Sequence, residues 1–150
     1  RLAIGVEKQY SKEQILEGLD GCAVLVGNDY EFGMMAKAVE LTEQQLIDRA
    51  PVTVMTRGDQ GSRIIVRGQA PVEIPIARPS EVVDPTGAGD AYLGALAFGL
   101  AKGLPHATTG RLAALAATFA IELKGCQEHT YSIDDFARRY QQAFGERLAL

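Results

Sequence analysis

Two short apolar runs, separated by helical patterns, limit most strongly how this chain can fold. Residues 23–26 (Ala-Val-Leu-Val) and 52–56 (Val-Thr-Val-Met-Thr) are bounded by turn-forming residues, which is typical of strands buried in a parallel sheet. Ser11 with Gln14 and Thr42 with Gln45 have capping-box spacing and predict helices over residues 11–19 and 42–49. A third helix is predicted over residues 30–39. This alternation predicts an α/β fold with a parallel sheet covered by helices.

The pattern changes after Gly58. Residues 62–67 and 72–77 are short and rich in β-forming side chains, and Gly68-Gln69-Ala70-Pro71 separates them, so we expect a β-hairpin with a turn of about four residues. Pro75 lacks a backbone N–H, which predicts that the second strand lies at an edge of the sheet.

The remainder of the chain is predicted to be helical. We expect helices over residues 88–102, ended by Gly103 and Pro105, and over about 108–124, ended by Gly125. Ser132 should cap a last helix over residues 136–144. Because no repeat, low-complexity tract or linker interrupts residues 1–150, the sequence predicts a single domain.

Charge and composition exclude several kinds of partner. The net charge is −4 and the Lys and Arg residues are scattered, so no basic stripe would follow a nucleic-acid backbone. The longest apolar stretch, around residues 113–121, is too short to cross a bilayer. The chain opens without a basic leader before a long apolar run. We therefore expect a cytoplasmic protein with neither nucleic acid nor membrane as a partner.

The two cysteines, Cys22 and Cys126, are far apart in sequence and have neither zinc-site nor disulfide-framework spacing. Two reduced, buried thiols are expected, which also favours the cytoplasm.

The segment from Asp84 to Asp90 (Asp-Pro-Thr-Gly-Ala-Gly-Asp) joins an apolar stretch to a helix rich in small residues. Gly87 and Gly89 permit backbone conformations that other residues avoid, and they let an anion approach the peptide N–H groups. The first turn of the helix adds unpaired donors and the positive end of the helix dipole. A binding site for a phosphate or an oxyanion is therefore predicted, with the Asp90 carboxylate facing it.

Two phosphate-binding motifs do not fit this turn. A Walker A loop needs Lys and then Ser or Thr after its last glycine, and a dinucleotide fingerprint needs Gly where Tyr92 stands. The alternative is a plain tight turn in which Asp90 is only a helix-start carboxylate, worth about 0.3–1 kcal/mol. Spacing alone leaves these two interpretations open.

Residues 84–92 (Asp-Pro-Thr-Gly-Ala-Gly-Asp-Ala-Tyr) closely resemble the C-terminal signature of the PfkB (ribokinase-like) kinases, which include ribokinases, fructokinases and adenosine kinases. The resemblance implies a ribokinase-like three-layer fold, a mainly parallel sheet with helices on both faces and a β-hairpin. It implies transfer of the γ-phosphate of ATP to a hydroxyl of a sugar or nucleoside. Asp90 would be the general base, and Gly87, Ala88 and Gly89 would form the anion hole.

Two further segments match the family in order. Asn28-Asp29-Tyr30-Glu31 resembles its Asn-x-x-Glu motif, which implies nucleotide binding near Asn28 and organisation of Mg²⁺ by Glu31, usually through water. The alternative is that Asn28 only caps a helix and Glu31 lies in its first turn.

Residues 56–61 resemble the family's Thr-x-Gly-x-x-Gly loop, which implies that Thr56, Gly58 and Gly61 lie over the nucleotide phosphates. A hairpin-type turn is the alternative and is compatible with that role.

The resemblance also covers the adenine side of the nucleotide site. Gly125 ends the long helix where family members close around the adenine, and Asp84 and the Thr86 backbone would coordinate K⁺ or Na⁺. This chain departs from the family at residues 116–118 (Ala-Ala-Thr), where many members carry a polar residue. Adenine contacts would then be mostly van der Waals, or Thr118 would substitute. A lone loop histidine, His129, is left outside the predicted site.

The resemblance covers about half of the family's length, and the implied N-terminal half, with its Gly-Gly motif and β lid, is not in these 150 residues. The acceptor would be a sugar or nucleoside. Within the family, the sequence looks closer to bacterial adenosine-kinase-like members than to ribokinase proper. Dimerisation through the lid and poor turnover by this half alone are expected.

The sequence also allows comparison of the kinase with functions of other classes. A non-catalytic nucleotide-binding module of the same fold is the main alternative. A hydrolase or dehydrogenase is disfavoured, because the chain has no Gly-x-Ser-x-Gly elbow and the dinucleotide spacing fails.

Overall fold

A computed structural model describes residues 2–4 and 10–149. The chain divides into two compact units, Arg1–Glu73 and Ile74–Leu150. Strands and short helices alternate in the first unit, and three longer helices make up most of the second.

The described residues form a five-stranded sheet in the order β1-β2-β3-β4-β5. Its strands are β1 (Leu2–Ile4), β2 (Val24–Asn28), β3 (Val52–Thr56), β4 (Ser62–Val66) and β5 (Val72–Ile74). β1 pairs with β2 and β2 with β3 in parallel, whereas β3 and β4 are antiparallel. The predicted parallel strands and the change of pattern after Gly58 are both confirmed.

The second hairpin strand is shorter than predicted. β5 ends at Ile74 rather than at residue 77, because Pro75 has no N–H to continue the ladder. The carbonyl of Ala77 instead accepts a hydrogen bond from the Thr118 hydroxyl at 2.6 Å.

Three helices accompany the sheet in the first unit: α1 (Lys12–Asp20), α2 (Asp29–Val39) and α3 (Glu43–Ile47). Each begins with a complete capping box, in which side chain and backbone of the first and fourth residues bond reciprocally. The hydrophobic core of this unit includes Leu25, Phe32 and Leu46, each 0% exposed. The sequence signals for these helices therefore reflect real backbone hydrogen bonds.

The second unit contains α4 (Ala88–Ala101), α5 (His106–Ile121) and α6 (Ile133–Phe144). α4 and α5 approach closely, since a Cβ on Gly99 would lie 2.8 Å from Thr109 Cγ2. Leu112, Leu115 and Tyr140 are at the centre of its core.

Helix α5 ends at Ile121, three residues before the predicted end, and its C-cap is Glu122. The carbonyl of Ile121 accepts the N–H groups of Val83 and Asp84 at 2.8 and 3.1 Å. The end of α5 thus binds the segment that leads into the glycine turn, an arrangement with no local sequence signal.

The two thiols differ. Cys22 is buried, as predicted, and burial raises its pKa. Cys126 is exposed, so the prediction of a second buried thiol is wrong; it lies in the turn that follows α5.

Among the described residues, no helix is long and apolar enough to cross a membrane.

The core predicts a large difference between two leucines of the second unit. Leu115 is 0% exposed and Leu123 is 44% exposed. Leu115→Ala should lower the free energy of unfolding by about 2–5 kcal/mol, because it removes buried methyl groups and leaves a cavity. Leu123→Ala should cost no more than about 0.5 kcal/mol. Urea unfolding of both variants measures this, and equal losses would contradict the core assignment.

Candidate functional site

The glycine turn begins helix α4 without a side-chain cap. Gly87 is the N-cap residue, with φ of 85° in the left-handed region that favours glycine. The Ala88 N–H makes a long bond of 3.3 Å to the Pro85 carbonyl. Helix geometry leaves the N–H groups of the first turn without intrahelical acceptors and places the positive end of the helix dipole there. The turn can therefore hold an anion.

Gly89 does not adopt a backbone conformation that other residues avoid, so that part of its prediction is wrong. It is helical, and among the glycines near this turn only Gly87 and Gly125 have positive φ. A Cβ added at Gly89 would meet nothing within 4 Å. The missing side chain therefore leaves open space beside the first turn of the helix, rather than relieving backbone strain.

Asp90 is exposed in the first turn of α4. Its carboxylate therefore lies one residue after Gly89, at the N-terminal end of α4, which is the end of a helix that attracts anions. This is compatible with a base facing a bound ligand, and also with a plain helix-start carboxylate.

Asp84 links two turns of the second unit. Its Oδ1 accepts the Thr86 N–H at 2.9 Å and its Oδ2 accepts the Gly125 N–H at 3.1 Å. The hydroxyl and N–H of Thr86, followed by the Gly125 N–H, hold the pKa of the Asp84 carboxyl below its usual range. Asp84 is therefore an ionised acceptor that fixes the position of the turn after α5 relative to the glycine turn.

Gly87 packs directly against that second turn. A Cβ on Gly87 would lie 3.0 Å from both Cα and Cβ of Cys126 and 3.4 Å from its carbonyl oxygen. Gly125 has φ of 101°. Both glycines are therefore required by the backbone, and the Gly87–Cys126 contact was missed at the sequence level.

In the first unit, Asn28 and Glu31 form the capping box of α2. Asn28 Oδ1 accepts the Glu31 N–H at 2.8 Å, and Glu31 Oε2 accepts the Asn28 N–H at 2.8 Å. The alternative in which Asn28 caps a helix and Glu31 lies in its first turn is thus observed. Glu31 can still accept further hydrogen bonds, because a carboxylate has about four acceptor positions. Gly27 must be small here, since a Cβ would lie 3.1 Å from Glu31 Oε2.

Thr56 lies beside Asn28 because the two residues are register partners at the ends of β3 and β2. The Thr56 hydroxyl donates to the Gly27 carbonyl at 3.4 Å. The sheet therefore brings Asn28 and Thr56 together, as expected for the carboxyl ends of adjacent parallel strands.

The loop after β3 contains a one-turn 3₁₀ helix, Gly58–Gln60. The Arg57 N–H donates to the Gly61 carbonyl at 2.8 Å, which closes the loop. Gly58 and Gly61 have φ of 57° and 83°. Both predicted glycines thus serve the turn, and residues 58–60 are exposed. The residues of this group belong to the first unit, whereas Asp84, Thr86, residues 87–90 and Gly125 belong to the second.

Thr118 does not substitute for a polar adenine contact. It is 4% exposed, and its hydroxyl lies 2.6 Å from the Ala77 carbonyl and 3.0 Å from the Ala114 carbonyl. Its single proton is therefore committed inside the unit. His129, which the predicted site leaves out, lies beside Tyr131 with ring centroids 6.2 Å apart.

A carboxylate missed at the sequence level fixes the approach to the glycine turn. Glu122 Oε1 accepts the Ser80 N–H at 2.6 Å and the Ser80 hydroxyl at 3.0 Å, and both Glu122 oxygens accept from the Arg139 guanidinium. The hydrogen bonds from Arg139 are the largest cause that lowers the pKa of Glu122, whereas partial burial acts to raise it. Ser80, Glu122 and Arg139 are too far apart in sequence for any local pattern to reveal this network.

Carboxylate oxygens are the candidate metal ligands of this site. Among the described residues, no group of three or more His, Cys, Asp or Glu side chains is placed to hold a metal. The Thr86 and Gly125 donors leave Asp84 about one of the four acceptor positions of a carboxylate, and this hard oxygen chemistry fits a monovalent cation completed by carbonyl oxygens. Glu31 likewise retains the acceptor capacity that a water-bound Mg²⁺ needs.

Comparison with known proteins identifies the family. The sequence matches the model of the pfkB family of carbohydrate kinases over residues 5–132. The chain belongs to this family. The resemblance of residues 84–92 to the PfkB signature is thereby confirmed at the level of the family.

Individual relatives agree. A nucleoside kinase of Methanocaldococcus jannaschii is 31% identical over 134 residues, which cover 89% of this chain and 44% of the relative. The structure of a Burkholderia thailandensis nucleoside kinase in complex with inosine superposes with a TM-score of 0.87 at 30% identity, over 92% of this chain and 45% of that one. This chain therefore spans less than half the length of these relatives.

A third comparison concerns the fold alone. Arabidopsis thaliana ribokinase complexed with ribose and ATP is 21% identical, with a TM-score of 0.79, over 93% of this chain and 47% of that one. The ribokinase-like α/β fold predicted from the sequence is confirmed.

The Glu122 network predicts a pH-dependent loss of stability. Because the folded pKa of Glu122 is lowered, its contribution is present above the unfolded value of about 4.3 and is lost as pH falls through the folded pKa. Glu122→Gln should cost about 1–2 kcal/mol at pH 7, and the difference from the parent should shrink below about pH 4. Glu17→Gln, an exposed change on α1, is the control. A pH-independent difference in urea unfolding would contradict the assignment.

Proposed function

We propose that this chain is the nucleotide-binding and catalytic portion, in one domain, of a kinase that moves the γ-phosphate of ATP to a hydroxyl of a sugar or nucleoside. The observation that carries the proposal is an exposed carboxylate, Asp90, in the first turn of an uncapped helix that starts at a left-handed glycine. This arrangement occurs in a chain of the PfkB family.

In the proposed reaction, the acceptor hydroxyl gives its proton to the Asp90 carboxylate as its oxygen attacks the γ-phosphorus. The bond from that phosphorus to the β-phosphate oxygen breaks, and ADP leaves. In the anion hole of Gly87, Ala88 and Gly89, the N–H groups of Ala88, Gly89 and Asp90 hold the charge on the oxygens of the transferring group, a role worth about 2.7–4 kcal/mol for one donor elsewhere. Phosphoryl transfer requires mainly this positioning and charge stabilisation.

The nucleotide would be held by Asn28, by Thr56, Gly58 and Gly61 over the phosphates, and by Gly125 near the adenine. Glu31 would hold Mg²⁺ through water, and a bound Mg²⁺ would neutralise phosphate charge. Asp84 and the Thr86 backbone would hold K⁺. Support for a nucleotide ligand comes from the Burkholderia kinase solved in complex with ADP-inosine.

An adenosine-like or ribose-like acceptor is proposed, because nucleoside kinases and a ribokinase are among the relatives. We propose that the complete protein is cytoplasmic and dimerises through a lid outside these residues. The isolated 150 residues should turn over poorly.

A non-catalytic nucleotide-binding module is the second candidate. It is favoured by the fully formed capping box of Asn28 and Glu31, which gives Glu31 a structural role without catalysis. Such a module would bind MgATP without phosphorylating any acceptor.

The base assignment predicts the effect of one substitution. Asp90→Asn in the complete natural protein should lower kcat by about 10²–10⁴-fold, because the proton acceptor is lost, while MgATP affinity changes less than about threefold. Asp134→Asn is the matched control, since Asp134 is also an exposed carboxylate in the first turn of a helix. Parent-like turnover by Asp90→Asn, measured as ADP release with adenosine or ribose, would show that Asp90 is not the base.

A further inference from the structure

One carboxylate holds both ends of the loop that follows β3. Glu73 of β5 accepts from Arg57 Nη2 at its Oε2 and from Arg63 Nε at its Oε1, each at 2.5 Å. Arg57 precedes the 3₁₀ helix of the loop, and Arg63 is the second residue of β4, which begins directly after the loop. All three residues belong to the first unit. We refer to Arg57, Arg63 and Glu73 as the hairpin clamp.

The loop itself has only short-range backbone hydrogen bonds. The Arg57 N–H donates to the Gly61 carbonyl, the Gln60 N–H to the Arg57 carbonyl and the Gly61 N–H to the Gly58 carbonyl, at 2.8, 3.0 and 3.1 Å. The 3₁₀ helix that they form is three residues long and has no side-chain cap. A single turn of this kind gains little stability alone, so its position depends on contacts with the rest of the hairpin.

Arg57 is the most enclosed member of the hairpin clamp. Its side chain is 25% exposed, compared with 43% for Arg63 and 51% for Glu73. Arg57 Nε is buried and has no hydrogen-bond partner among the described residues. Without the Glu73 carboxylate, an enclosed guanidinium would lack compensation for the water that it has lost. Arg57 would then turn outward, and the start of the loop would move with it.

The formal charges show that the clamp acts by position rather than by attraction. The two arginines contribute +2, whereas Glu73 and the exposed loop residue Asp59 contribute −2. The loop and clamp together therefore offer no excess of positive charge to an anionic ligand. What they offer is a fixed backbone at residues 57–61.

We propose that Glu73 is a positioning residue for the nucleotide: through Arg57 and Arg63 it holds the loop in the conformation that binds the phosphates. This rests on the proposed function, in which Thr56, Gly58 and Gly61 lie over the nucleotide phosphates. The inference makes a residue of β5, outside the matching motif, a determinant of MgATP affinity.

The first experiment measures the order of the loop in the complete natural protein without nucleotide. Glu73→Gln leaves one acceptor oxygen for two arginines, whereas Glu17→Gln makes the same chemical change at an exposed position of α1. By hydrogen exchange, peptides covering residues 57–61 should exchange about fivefold faster in Glu73→Gln than in Glu17→Gln, as for lost ion pairs at a locally opening segment.

Peptides from β2 separate a local effect from a general one. They should exchange at the same rate in both variants, because β2 lies outside the hairpin. Equal exchange of residues 57–61 in the two variants would show that the clamp does not hold the loop. An equal acceleration of β2 would make Glu73 a general stabilising residue and overturn the positioning role.

A double variant tests whether Glu73 acts through Arg57. When Arg57→Gln is already present, adding Glu73→Gln should accelerate exchange of residues 57–61 by less than about twofold, because the partner has been removed. An undiminished fivefold effect would mean that Glu73 acts without Arg57, against the inference.

The second experiment measures the nucleotide. The KM for MgATP should rise about threefold in Glu73→Gln with kcat within about twofold of the parent, because only molecules with an ordered loop bind tightly and the loop contacts the phosphates throughout the reaction. Glu17→Gln should keep both constants. Faster loop exchange with a parent KM would refute the positioning role. A parent that binds no MgATP would refute the proposed function and this role with it, whereas the exchange rates would still decide whether the clamp exists.

Discussion

The candidate site of the second unit depends on the hydrogen bonds that the Asp84 carboxylate accepts. It accepts the N–H of Thr86, two positions along its own turn, and the N–H of Gly125, 41 positions away beyond helix α5. Neither donor lies in a regular element, and both would otherwise lack a fixed partner. One ionised side chain thus holds both turns in place, where a regular element would use backbone hydrogen bonds.

The packing of Gly87 converts this restraint into the start of a helix. Because Gly87 adopts φ of 85° and rests on Cys126, helix α4 begins at a position set by a distant turn rather than by a capping side chain. The uncapped first turn then has donors free of side-chain competition, which a Ser or Asp cap would have occupied. Local helix stability is lower, and these N–H donors are available to an anion.

The helix-start motifs of the first unit are built in the opposite way. Asn28 and Glu31 satisfy each other through a complete capping box, and Thr56 lies beside Asn28 through strand register. A ligand there would meet a preformed, well-bonded edge, whereas a ligand at residues 87–90 would supply the acceptors that the helix lacks. The two groups of candidate residues, one in each unit, therefore differ in what a ligand would contribute.

Local signals in the sequence were sufficient to predict many of the helix starts, the strands and the glycine turn. The capping boxes at Ser11, Asn28 and Thr42, the buried strand at residues 52–56 and the glycine turn each depend on neighbours within a few positions. The contacts missed are long-range: Glu122 with Ser80 and Arg139, and Gly87 with Cys126. The first network forms only when the end of α5 meets α6, and the second contact only when the turn after α5 meets the start of α4, so no periodicity records them. For the same reason the end of α5 was placed three residues too late.

The central claim is that residues 87–90 form an anion site of a kinase, and amide chemical shifts test it most directly. The ¹⁵N–¹H spectrum of this chain would be recorded during titration with MgATP. We expect saturable shifts at the Gly89 and Asp90 amides, with smaller changes at Gly103, a positive-φ glycine at the far end of α4. Saturable binding that leaves the Gly89 and Asp90 amides unchanged would contradict it.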